Sequence, residues 1–202
     1  MEKLPKDRKE ASAQPEDEFT SEKRFMLETL DGRDKGNPDA LRYQPAALRD
    51  DKEIALKAIE GHGRNFEYLS ERLRDDKEVA IAAVGKARGA GAYLEYASEK
   101  LRNDRDVVRV AVLDGRDGFR YASTEIRKDK EFISDLLSAG AETDLILDMD
   151  SELLSDRLFL LHTIAINPFV YGVIPKAMRT DKEIAETAFN RNPDVVPEDI
   201  KK

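Results

Sequence analysis

The chain has 202 residues, 38 % of them charged and 40 % hydrophobic, with 34 basic side chains mixed among 42 acidic ones for a net charge of −8. That mixture offers no basic face of the kind that releases counterions from nucleic acid, so direct nucleic-acid binding is not expected. Cysteine is absent, which excludes disulfides, thiolate catalysis and thiolate metal sites and fits a reducing, cytoplasmic compartment.

Residues 1–18 carry two prolines and mostly charged side chains, too little apolar surface to offset the entropy of ordering, so a flexible charged tail is expected there. The tail has no apolar stretch that would make it a secretory signal, and no run in the chain approaches the ~18 apolar residues of a membrane span.

From residue 19 to 202 a repeat governs the sequence. Asp51-Lys52-Glu53 returns as Asp76-Lys77-Glu78, Asp104-Arg105-Asp106, Asp129-Lys130-Glu131 and Asp181-Lys182-Glu183, with a weaker copy at Asp156-Arg157-Leu158. Units therefore start near 51, 76, 104, 129, 156 and 181, and a degenerate one starts near 21, where Leu30-Asp31-Gly32-Arg33-Asp34 matches Leu113-Asp114-Gly115-Arg116-Asp117. A period of this size marks a repeat architecture.

With the Asp as position 1, apolar residues recur at positions 4, 5, 8 and 9, for example Ile54, Ala55, Ala58 and Ile59, the stripe of an amphipathic helix. Val107-Val108-Arg109-Val110 alone could pass for a strand, but its Ala-rich aligned neighbours predict a helix. The residue before the Asp is a good N-cap type in five of six units (Asp50, Asp75, Asn103, Ser155 and Thr180), Lys128 being the exception. Paired with Glu53, Glu78 and Glu183, three of these resemble capping boxes. Gly115, Gly140, Asn167 and Asn192 are expected to close the helices in the left-handed conformation.

A second stripe, Phe66, Leu69, Leu73 and its equivalents, predicts another helix of about eight to nine residues. The fold class expected is all-α: an α-solenoid of about seven ~25-residue helical hairpins, each burying its stripes against its neighbours.

The segment Phe66-Glu67-Tyr68-Leu69-Ser70-Glu71-Arg72-Leu73-Arg74-Asp75-Asp76-Lys77-Glu78, with Tyr96-Ala97-Ser98 and Tyr121-Ala122-Ser123, resembles the domain-of-unknown-function family 4116. The likeness is good over about 41–135 and loose beyond, where Asp148, Leu154 and Pro175 replace the Tyr, Arg and Ser. Ala165-Ile166-Asn167-Pro168 and Asn190-Arg191-Asn192-Pro193 are also similar to leucine-rich-repeat variants, another helical solenoid. The first resemblance implies a stacked helical array of effector-like or phage-associated type with no assigned chemistry, acting in the producing cell or in a host.

No constellation for catalysis emerges. His62 and His162 fall at different repeat positions, so they do not converge as metal ligands. Gly85-Lys86-Ala87-Arg88-Gly89 puts its lysine too early for a phosphate loop and has no Ser or Thr after it. The acids mostly occupy cap positions. No cofactor, metal or catalytic residue is expected, and no enzyme activity.

The Tyr column (Tyr43, Tyr68, Tyr96, Tyr121) and Arg column (Arg49, Arg74, Arg102, Arg127, Arg179) repeat too faithfully for a binding site and read as inter-repeat packing. Insertions near 35–40, 88–92 and 141–143 all fall between a unit's two helices, and such loops emerge on one edge of a solenoid. Candidate partner-binding residues are therefore Arg33, Asp34, Lys35, Asn37, Lys86, Arg88, Tyr93, Arg116, Asp117, Glu142 and Asp144. The function expected is protein–protein interaction, as scaffold, adaptor or inhibitor. The alternative is an acidic inhibitor that mimics nucleic-acid charge against a nucleic-acid-binding or defence enzyme. Partner identity and oligomeric state are not specified by the sequence.

Overall fold

The computed structural model describes residues 18–85 and 89–197. Residues 1–17 of the charged tail, Lys86, Arg88 and the last five residues lie outside that range, and Glu18, expected in the tail, opens the first helix. Seven long helices recur at the repeat period: α1 (Glu18–Asp31), α2 (Lys52–Gly61), α3 (Lys77–Val84), α4 (Arg105–Leu113), α5 (Lys130–Ser138), α6 (Arg157–Ile166) and α7 (Lys182–Arg191). No strand occurs among the described residues, and the Val-rich segment at 107–110 is helical within α4.

In the middle of the array the long helices bury positions 4, 5, 8 and 9, as with Val79, Ala80, Ala83 and Val84 in α3 and Phe132, Ile133, Leu136 and Leu137 in α5, whereas Phe189 at position 9 of α7 is 40 % exposed. These side chains join Phe66, Leu73, Leu94, Leu101 and Phe119 of the second arms in one continuous core. No unit has a core of its own, which is the physical meaning of a solenoid.

The second arm departs from the expected helix. Between α2 and α3 the chain makes a 3-10 turn (Gly63–Tyr68), then an extended step through Leu69 and Ser70, then a one-turn helix (Glu71–Arg74). The same division recurs at Ala90–Tyr96 with Glu99–Arg102, and at Phe119–Tyr121 with Thr124–Lys128. The apolar spacing of three and four survives the break because both pieces press on the same core.

The serine explains the break. Ser70 caps the short helix by accepting from Leu73 N, while its own N–H donates to Arg49 O of the preceding unit at 3.1 Å. Ser98 N bonds Arg74 O at 3.2 Å, Ser123 N bonds Arg102 O at 2.9 Å, and Asp150 N bonds Arg127 O at 3.1 Å. A continuous helix would consume these N–H groups internally. Pro175 has no N–H and cannot make the bond, so the series stops there.

The caps also differ from expectation. Position 1 itself is the N-cap: Asp76 accepts from Glu78 N at 3.0 Å and Val79 N at 3.3 Å, and Asp51, Asp104, Asp129, Asp156 and Asp181 act alike. Asp50, Asp75 and Asn103 instead end the preceding short helix and accept from Ser70, Ser98 and Ser123 of the next unit. The capping boxes Asp50/Glu53, Asp75/Glu78 and Thr180/Glu183 therefore do not form. Asp76→Ala is expected to cost about 1 kcal/mol, the usual loss of a cap. Glu78→Ala should cost distinctly less in the same urea titration, and equal losses would return Glu78 to the cap.

What Glu78 does is accept the basic residue of the unit before it. Lys52 reaches Asp76 and Glu78, each at 2.8 Å; Lys77 reaches Asp104 at 2.9 Å and Asp106 at 2.6 Å; Arg157 reaches Asp181 at 2.8 Å and Glu183 at 2.6 Å. Lys23 does the same to Asp51 and Glu53 from α1. The whole tripeptide is thus one step of a ladder of alternating charge along the helix starts. Hydrogen bonds to Asp76 and Glu78 raise the pKa of Lys52, and the bond from Arg157 holds Asp181 below the usual carboxylate range. Burial works against the charge on Asp76, but Lys52 and the N–H of Val79 outweigh it and its pKa is lowered too.

Helix ends need one more correction. Gly140 is left-handed with φ 93°, as expected, but Asn167 and Asn192 are extended, with φ −135° and −153°. Their side chains accept from Phe169 N and Asp194 N, starting the next turn rather than closing the last. His62 plays the same part at its repeat position, accepting from Arg64 N through Nδ1. Gly115 is not left-handed either; Arg116 and Asp117 take that conformation, with φ 55° and 58°.

Candidate functional site

The inter-helix loops stack on one another along the array. Asn65 is fully buried at the first junction. Its Nδ2 donates to Asn37 O at 2.8 Å and to Ala58 O and His62 O at 3.2 Å, and its Oδ1 accepts from Leu41 N at 3.2 Å. Further on, the Tyr93 ring covers Gly63 and lies 6.4 Å from the His62 ring. Gly89 N and Gly91 N both donate to Gly115 O, at 2.6 and 3.2 Å. The last link is an ion pair from Arg116 to Glu142.

The nine candidate residues within the described range fall into separate places on this edge. Asn37 accepts from Asp39 N at 2.9 Å and donates to Asp34 at 3.3 Å, so both are spent on their own turn, while Arg33 and Lys35 are exposed. Tyr93 is committed to packing, and Lys86 and Arg88 lie outside the described residues. Arg116, Asp117, Glu142 and Asp144 come together around a recess shared with Phe119 and Asp148. Burial pushes Asp148 above the usual carboxylate range, with Asp144 and Asp117 adding to the effect and Arg120 and Arg127 opposing it. The recess encloses only about 20 Å³, room for a water molecule and no more. No group of three or more His, Asp or Glu among the described residues is arranged to hold a metal.

A larger feature was not legible as a site. Leu56 on α2, Ile81 and Ala82 on α3 and Val110 on α4 are half-buried side chains that floor an open groove of about 490 Å³. Each sits at position 6 or 7, beside the stripe that makes the core, so in the sequence they read as extra core. The groove runs to the C-terminal ends of these helices, where Glu60, Gly85 and Asp114 line it. Carboxylates and helix C-termini make that end negative. Lys57 lies 3.4 Å from Glu60 and 2.6 Å from Asp31 and offsets part of the charge. Asp114 adjoins the Gly115–Asp117 turn, so the groove opens onto the loop edge. On α5 and α6 a second recess of about 520 Å³ breaks the pattern: Leu158 replaces the acid of position 3 and stands 75 % exposed, leaving Lys130 to pair with Asp156.

Parts of the Tyr and Arg columns behave as seam elements, whereas Tyr43 is 84 % exposed and covers no seam. Arg102 donates to Tyr121 O at 2.7 Å, and Arg49 and Arg127 reach Tyr68 O and Asp148 O at 3.4 Å, each crossing to the next unit. Tyr68 in turn donates to Asp39 at 2.6 Å, a bond that raises its pKa.

Residues 51–88 and 90–127 each match the family model described as domain of unknown function (DUF4116). These two tandem segments are similar to DUF4116 repeats. The first DUF4116 match begins on a long helix and the second on a 3-10 turn, so each spans about one and a half structural units and they are half a unit out of phase. The likeness of 165–168 and 190–193 to leucine-rich-repeat variants is no part of this match. No curated protein and no solved structure matches the chain. No described helix is long and apolar enough to cross a membrane.

Proposed function

We propose that this protein is a non-enzymatic interaction module, a cytoplasmic scaffold, adaptor or inhibitor, that receives a partner's helical segment in the groove across α2, α3 and α4. The observation that carries this reading is the half-exposed apolar floor of Leu56, Ile81, Ala82 and Val110, held rigid by a fully buried stripe directly beneath it. An amphipathic helix fits such a floor with its i, i+3, i+4 apolar face. The negative end at Glu60 and Asp114 favours a partner with a basic side chain there, and the partner's continuation would meet the loop edge at Arg116 and Asp117. Charge mimicry of nucleic acid is disfavoured, because along the helix starts each acid of the ladder is met by a base.

The test uses labelled amphipathic peptides with one apolar face and Lys, Gln or Glu at the end that would meet Glu60 and Asp114. The Lys peptide is expected to bind best by fluorescence anisotropy. Ile81→Glu, checked for helicity by circular dichroism, should weaken it at least tenfold. Equal binding of all three peptides, or undiminished binding to the folded Ile81→Glu variant, would defeat the reading.

A further inference from the structure

Within the array, Arg74 departs from the neighbours on either side of it in the Arg column. Arg49, Arg102 and Arg127 each spend a guanidinium hydrogen bond on a backbone carbonyl of the next unit. Arg74 has a next unit beside it, yet its guanidinium makes no hydrogen bond or ion pair to any described residue; its Nε is buried without a partner, as are those of Arg49, Arg127 and Arg179, but those of Arg49 and Arg127 sit beside a terminal nitrogen that does bond the next unit. In place of the bond to the Tyr96 carbonyl there is a cavity of about 370 Å³, lined by Glu71, Arg74, Asp75, Tyr96, Ala97 and Ser98. It lies among the short helices, in a different place from the groove of α2–α4, and stands independently of that reading.

The lining says what charge is wanted. Asp75 is already engaged, accepting from Ser98 Oγ at 2.5 Å and from Lys100 at 3.2 Å. Glu71 is exposed, on the turn before Arg74. Tyr96 presents a half-buried phenol whose pKa is raised by burial, so it stays neutral and supplies an O–H. A cationic fork with unused donors, beside a neutral hydroxyl, is complementary to a planar anion. The two nearby acids repel a phosphate dianion more than a carboxylate monoanion.

We propose that the cavity between the short helices at Glu71–Arg74 and Glu99–Arg102 is a carboxylate-binding site, in which Arg74 pairs with an acidic side chain or free C-terminus of a peptide.

The experiment follows the arginine Nε–Hε signals of the full chain by 1H–15N correlation during titration with three probes: N-acetyl-glutamate amide, N-acetyl-alanine and inorganic phosphate. The first presents only a side-chain carboxylate and the second only a terminal one. A saturable shift of the Arg74 signal with either carboxylate, larger than those of Arg49, Arg102 and Arg127, is expected. Arg74→Lys, read through the amides of Ala97 and Ser98, should abolish saturation, and Glu71→Gln should tighten binding about two- to fivefold by removing a competing anion. The proposal is overturned by shifts shared equally among the four arginines, by a stronger response to phosphate, or by saturation that persists in Arg74→Lys.

Discussion

Asn65→Asp is expected to be among the most damaging single changes in the chain, although it alters one side-chain nitrogen to oxygen. The native amide donates to three backbone carbonyls, of Asn37, Ala58 and His62, and accepts from Leu41 N, all at a fully buried position. An aspartate would set a carboxylate against those three oxygens; Ala58 O and His62 O would keep the N–H groups of His62 and Asn65, but Asn37 O would lose its donor. An uncompensated buried charge costs about 3–5 kcal/mol. Asn65→Ala should cost less, about 1–3 kcal/mol, because it leaves groups unpaired without adding charge. Urea unfolding followed by circular dichroism measures both. An aspartate variant no less stable than the alanine variant would refute this account. Because contacts in a solenoid are local, hydrogen exchange should rise first around α1 and α2.

Gly115→Ala is expected to lose about 3 kcal/mol, at the upper end of overpacking penalties. A Cβ there would stand 1.9 Å from Val84 O and 2.5 Å from Gly91 N. Both obstacles are backbone, so no rotamer change relieves them. Gly91 faces the reverse of the same crossing, with Arg116 O at 2.0 Å and Ala111 O at 2.2 Å from its Cβ position. Gly172 supplies the control: nothing lies within 4 Å of its added Cβ, and it sits in a short helix, Val170–Val173. Gly172→Ala should therefore be neutral or stabilise by up to about 1 kcal/mol. Thermal unfolding of the two variants compares one chemical change in two settings. Similar melting temperatures would mean that the loop crossing is not packed as described.

Much of the fold could be read before any coordinate. The stripe at positions 4, 5, 8 and 9 identifies seven long helices because a buried stripe is a local, periodic property. Aligned copies also overrule misleading ones, as Ala55 and Ala80 do for Val108. Cap chemistry was legible in kind and misplaced by one residue. Asp50 and Asp51 are both competent caps, and only the bond from Ser70 of the next unit decides that Asp50 serves the seam and Asp51 the helix.

The sequence by itself determined the repeat, its period, the all-helical class and the composition of the core, since each follows from residue type and spacing within one unit. Everything that joins one unit to the next was decided by tertiary structure. Lys52 could not be matched to Asp76 and Glu78, nor Ser70 to Arg49, without knowing how far one helix is offset from its neighbour. The same holds for the two features with most to offer a partner. The groove at Leu56, Ile81 and Val110 is made of side chains indistinguishable in type from core, and only the packing of three helices side by side leaves them lining an open groove. The Arg74 cavity is a bond not made, and a missing contact has no signature in a chain where every arginine of the column looks the same.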